Sequence, residues 1–196
     1  STLATGVTDI ESSSAGTGVH FHCRPADASQ WNGRVLLHIV GTGDNPAATS
    51  GILKRACALG FAGLAPMYKN ANDARSTCKN DTNCYEAMRR EVVYGGDQAP
   101  DPIQVDVRNS LLSRLGTLTD FLRQRDAGFP GWSRIWDQVR ARNLSTFALS
   151  GHSQGSGHAL LLARDFLVER LIMMGGVTDR LFDRTRASAP VAWIAK

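Results

Sequence analysis

The chain has 196 residues, of which 42% are hydrophobic and 20% charged, with 22 basic against 18 acidic side chains and a net charge of +4. Apolar content near the globular mean, without a dominant charge block, excludes disorder as the main state, and the lack of any repeat excludes collagen-like and coiled-coil chains. One domain with a single sizeable core is the expectation for this length.

Residues 1–16 are rich in Ser, Thr, Gly and Ala and read as a loosely held arm. Val19, Phe21 and Cys23 alternate with His20 and His22, the period of a half-buried strand with its histidines facing solvent. A connector over 25–33 ends in the turn signal Asn32-Gly33. Residues 35–40 form a continuous apolar run suited to the middle of a sheet, broken by the glycine-rich stretch 41–46. The pattern predicts a helix over 47–59, stopped by Gly60, and a second buried strand over 61–67. Residues 69–102 are polar and irregular, an excursion from the main sheet closed by Pro100 and Pro102. Val107, Leu111, Leu115, Leu118 and Leu122 recur at helical spacing and predict an amphipathic helix over about 104–126. A shorter helix over 133–142, a strand over 146–149, a helix over 156–166 and a strand over 170–174 follow. Residues 191–195 are a further strand or the approach to one. Strands alternating with helices argue an α/β protein, one domain over 1–196, with a mostly parallel sheet after an antiparallel first pair.

The longest stretch free of Asp, Glu, Lys and Arg, residues 143–163, carries four serines, a glutamine and two histidines, which excludes a membrane span. The first residues show neither a basic region nor an apolar core of a leader. The arginines are scattered without aromatic interleaving, so no nucleic-acid partner is expected. Cys78 and Cys84 sit in a polar, turn-rich stretch and favour a disulfide over loose thiols; no second ligand pair accompanies them, so a zinc site is disfavoured. Cys23 and Cys57 lie in apolar settings and either pair or are simply buried. This cysteine usage points to a secreted or periplasmic protein.

Gly151-His152-Ser153-Gln154-Gly155 fits G-x-S-x-G and falls directly between a predicted strand and a predicted helix, the context of a nucleophile elbow. The competing reading is a glycine-rich turn with a structural serine. With Val40-Gly41-Thr42-Gly43 after the early strand, the Cys78 and Cys84 pair, and Asn109-Ser110 before the elbow, the sequence resembles the α/β-hydrolase superfamily, and within it secreted esterase- or lipase-like members. The resemblance implies a three-layer fold around a mostly parallel central sheet. It implies hydrolysis of a carboxylic ester (a lipid, a small ester or a polyester) through an acyl-serine on Ser153. It also implies an oxyanion hole formed by the backbone N–H groups of Gln154 and Thr42, with no cofactor and no metal. Acyl transfer to another alcohol uses the same residues, and a non-catalytic binding protein on this fold is the rival from a different class. A dinucleotide fingerprint is disfavoured because Pro46 occupies the third glycine position of Gly41-x-Gly43-x-x-Gly.

A serine nucleophile needs a base, normally His, oriented by an acid, in the chain order Ser, acid, His. The histidines are 20, 22, 38, 152 and 158, and none follows the nucleophile helix. His38 reads as a core or supporting residue, and Asp179 as a loop or capping residue rather than the acid. The expectation is therefore a fold whose last strands and base lie in a further C-terminal segment, leaving Ser153 without a histidine partner and the last strand apolar and exposed.

Overall fold

A computed structural model describes residues 4–5, 20–96, 103–177, 179 and 192–195. Its sheet holds β1 (Ala4–Thr5), β2 (His20–Cys23), β3 (Val35–Ile39), β4 (Ala62–Ala65), β5 (Phe147–His152) and β6 (Arg170–Met174), in the order β1-β2-β4-β3-β5-β6. The β1–β2 and β2–β4 pairs are antiparallel; β4–β3, β3–β5 and β5–β6 are parallel. Central β3 is buried at every position, with Leu37 beside Leu64 on one side and Leu149 on the other. A strand covered on both faces needs no polar alternation, which is why this segment reads as a continuous apolar run.

The described helices are α1 (Ser50–Ala58), α2 (Ala74–Cys78), α3 (Thr82–Tyr94), α4 (Leu111–Arg125), α5 (Gly131–Arg140) and α6 (Gln154–Asp165). One sheet face buries Leu37, Ile39, Leu64, Phe147 and Leu149 in a large core with the apolar stripes of α3 to α6. The opposite face packs Phe21, Leu36, Ala65 and Ala148 against Leu53, Ala56 and Cys57 of α1 in a much smaller core. The sheet is thus the middle of three layers. Two disulfides staple it: Cys23–Cys57 ties β2 to α1, and Cys78–Cys84 ties the end of α2 to the first turn of α3, with Cα separations of 6.1 and 5.3 Å. Among the described residues no helix is long and apolar enough to cross a membrane.

Several expectations change. The excursion is helical over much of its length: Asp73 and Asp81 cap α2 and α3 by accepting backbone N–H bonds, and Tyr85, Met88 and Val92 give α3 a buried stripe that the polar flanks disguise. The helix predicted from 104 begins at Leu111. Val107 instead sits in a 3-10 turn, 60% exposed, and Ser110 has extended backbone angles and caps α4 through the Ser113 N–H. Residues 46–49 form a 3-10 turn ahead of α1, β5 runs on to His152, and residues 192–195 are a 3-10 turn rather than a strand. His20 and His22 are buried, not solvent-facing: β2 is covered by Trp132 of α5 on one side and by the Cys23–Cys57 staple on the other. Apart from Ala4–Thr5, the proposed N-terminal arm lies outside the described residues, as do Pro100 and Pro102.

Candidate active site

Ser153 stands between β5 and α6 with φ 50° and ψ −117°, a conformation that costs a residue bearing a Cβ on the order of 1–3 kcal/mol. The strain is held in place from several sides. The Ser153 N–H donates to Met174 O at 2.7 Å, and Ser156 Oγ donates to Gly151 O at 2.8 Å, so the ends of β5, β6 and α6 are locked together. A Cβ on Gly151 would lie 2.3 Å from Gly155 O, and one on Gly155 would lie 2.1 Å from Ile39 O. Both glycines of the motif are therefore required by backbone contact: the first lets the turn close on itself, the second lets α6 lie against the end of β3. Serine at a helix start usually caps it through its own oxygen. Ser153 makes no such bond, and its hydroxyl has no hydrogen-bond partner among the described residues. The side chain is half-buried.

The loop after β3 faces this turn, and its backbone donors can be followed one by one. Gly41 N–H reaches Asp44 Oδ2 at 3.3 Å, Gly43 N–H donates to Asn70 O at 2.9 Å, and Asp44 N–H donates to Gly41 O at 3.2 Å. Asn70, itself buried, also donates from Nδ2 to Gly41 O and Asp44 O at 2.8 and 2.9 Å. Thr42 N–H and Asn45 N–H are left without an acceptor among the described residues, and of the two Thr42 lies against the elbow through its side chain. Gln154 is the first residue of α6, where an N–H has no partner within the helix. The two residues meet through their side chains, with Thr42 Oγ1 donating to Gln154 Oε1 at 2.9 Å. Two unengaged backbone N–H groups thus belong to residues in contact with one another, one of them adjacent to Ser153.

None of the five histidines bonds to Ser153. His20 Nδ1 accepts from Met67 N–H, and His22 packs edge-on to Trp132. His38 Nδ1 lies 2.8 Å from Ser150 Oγ, across the β3–β5 pair. Burial pushes the His22 and His38 imidazoles down to about 4, so both are neutral near pH 7. His158 is on the buried side of α6, edge-on to Tyr68, and burial first and the Arg89 charge second hold it well below its ordinary value. His152 is exposed, with Nδ1 3.1 Å from Asp44 Oδ2. A groove of about 250 Å³ opens beside it, lined by His38, Thr49, Ile52, His152 and Met174.

Asp179 lies outside helix and strand, as a loop residue would, but it is not a helix cap and not at the surface. It is fully buried, receives Arg89 through two nitrogens at 2.5 and 3.2 Å, and accepts from Trp193 Nε1 at 3.1 Å. Arg89 turns its remaining nitrogen to Gln154 O at 2.9 Å, bracing the first turn of α6 from below. Gly157 makes room for it, since a Cβ there would lie 2.6 Å from the guanidinium carbon. Asn70 and Arg89 are the two supporting residues that sequence reading passed over. Both fall in the stretch taken as an irregular excursion. The one signal available was Gly157, a glycine in a helix with no turn to make. No group of His, Cys, Asp and Glu suited to hold a metal ion occurs among the described residues. No protein-family model and no curated protein matches this chain.

Proposed function

We propose that this protein is a serine hydrolase of carboxylic esters on an α/β-hydrolase fold. The observation that carries the reading is Ser153 itself: a strained, uncapped serine at a strand-to-helix turn whose flanking glycines are fixed by backbone contact. Ser153 Oγ attacks the ester carbonyl and forms a tetrahedral intermediate. The backbone N–H groups of Thr42 and Gln154 receive its oxyanion, and the N-terminal end of α6 adds its positive dipole. The alcohol leaves, and water cleaves the acyl-serine. Ser153 needs a general base to take the hydroxyl proton and return it to the leaving alcohol, and none of the five histidines is hydrogen-bonded to it. Two disulfides support an extracytoplasmic setting.

The position of the histidines favours one alternative, a binding protein whose elbow performs no chemistry. A fluorophosphonate probe applied to the full-length protein separates the two. Covalent labelling of Ser153, abolished in Ser153→Ala together with a loss of several orders of magnitude in p-nitrophenyl ester turnover, is the expected result. Turnover by Ser153→Ala equal to that of the wild type would falsify the hydrolase reading.

A further inference from the structure

The Gln154 side chain is in an odd position for a residue selected by stability alone. It is buried, its Oε1 accepts two hydrogen bonds, and its Nε2 has no partner among the described residues. A buried amide with an unsatisfied donor is costly, and an apolar side chain of similar size avoids that cost. What the oxygen holds is informative. One donor is Thr42 Oγ1 at 2.9 Å, from the loop that carries the unengaged Thr42 N–H. The other is Ala74 N–H at 3.1 Å, the first residue of α2. α2 is in turn closed by Cys78–Cys84. The carbonyl oxygen of one side chain therefore joins three separate pieces of chain around Ser153: the elbow, the β3 loop and the head of α2.

We propose that the Gln154 side chain and the Thr42 hydroxyl are positioning residues, a side-chain clasp that fixes the separation of the two backbone donors. The inference rests on the hydrolase reading for its catalytic consequence but not for its structural content. Asn70 already holds Gly41, Gly43 and Asp44 from behind. Thr42, between them, has the Gln154 oxygen as its side-chain tether. With Oγ1 committed to that oxygen, the hydroxyl serves the site by placing its own backbone N–H. Loosening the tether displaces a donor without deleting it, so the penalty falls below the hundredfold or more that follows outright loss of one.

The test compares Thr42→Val, Thr42→Ser, Gln154→Met and the Thr42→Val/Gln154→Met double variant in the full-length protein. Thr42→Val keeps the backbone N–H and the shape, and removes only the hydroxyl. The expected result is a kcat for p-nitrophenyl butyrate about tenfold lower in each of Thr42→Val and Gln154→Met, with KM within about twofold, and recovery in Thr42→Ser. The double variant should be no worse than the poorer single one, because either change already opens the clasp. Effects that multiply in the double variant, or an unchanged kcat in Thr42→Val, would overturn the proposal while leaving ester hydrolysis intact. Amide hydrogen exchange over residues 41–44 tests the clasp independently of chemistry. Faster exchange in Thr42→Val than in Thr42→Ser supports it, and equal exchange refutes it, even if Ser153 proves unreactive in every variant.

Discussion

The two faces of the sheet are built to different standards. On one, β3, β4 and β5 press Leu37, Leu64, Phe147 and Leu149 into a core shared with α2 to α6. On the other, α1 lies mainly over β2, β3 and β4, with Ala148 of β5 at its margin. Beyond it Ile172 is 40% exposed, and a second groove of about 250 Å³ runs between Leu36, Phe61, Ala148 and Ile172. The thick face fixes its polar groups by enclosure, as with Arg89 and Asp179. The thin face has a much smaller apolar cluster to bury and uses a covalent bond, Cys23–Cys57, to keep α1 in place. Burial and cross-linking here substitute for one another: where one face lacks hydrophobic area, chain entropy removed from the unfolded state makes up part of the difference.

The sharpest way to break this comparison is to remove a charge from the thick face. Arg89→Met strands the Asp179 carboxylate in a dry site and should cost about 3–5 kcal/mol in urea unfolding, with part of the loss returned by adding Asp179→Asn. A cost near zero would mean that water reaches the pair and the face is not closed. On the thin face, Cys23→Ser/Cys57→Ser should cost about 4 kcal/mol, because the bridge spans 34 residues. The paired change at Cys78 and Cys84, which spans only 6, should cost about 2 kcal/mol. Equal losses would show that strain rather than loop entropy governs both bridges.

The buried imidazoles sharpen the picture by pH. The folded-state value of His22 is lowered from 6.5 to about 4, so between those limits the unfolded chain binds the proton and the folded one does not. Stability from this residue is fully present above pH 6.5 and falls as the pH drops toward 4, by roughly 3 kcal/mol. His22→Leu should flatten the wild-type profile by that amount over this interval, in denaturant midpoints taken at half-unit steps. A slope unchanged by the substitution would place the titration elsewhere. The smallest effect belongs to the open strip: Ile172→Lys should change stability by no more than about 0.5 kcal/mol. A loss of the size seen for a core residue would show that this strip is covered in the working protein.

What could be read from the sequence follows from how local each signal is. The strands on either side of the elbow, the α4 leucine stripe and the elbow's glycines were legible because the period and the motif are written in adjacent residues. α2 and α3 were not, since their caps and buried stripe sit among polar residues that outweigh them in composition. The histidines of β2 were misread because alternation reports a half-buried strand only when one face meets water, and here neither does. Asn70, Arg89 and the Thr42–Gln154 contact were beyond reach for a different reason: each joins residues from 26 to 112 positions apart, and no local pattern encodes which distant carbonyl a side chain will meet.

The contact of Gly155 with the end of β3 also bears on how this protein can change. A Cβ at 151, 155 or 157 would come within 2.6 Å of backbone or of the Arg89 guanidinium, whereas at Gly51 and Gly116 it would meet nothing within 4 Å. Variation is thus closed off at three positions of one heptapeptide and left open at glycines on α1 and α4. A library that randomises the elbow would return mostly unfolded chains. One that randomises the first turn of α1, which borders the groove beside His152, can explore new shapes next to the serine without touching the geometry that presents it.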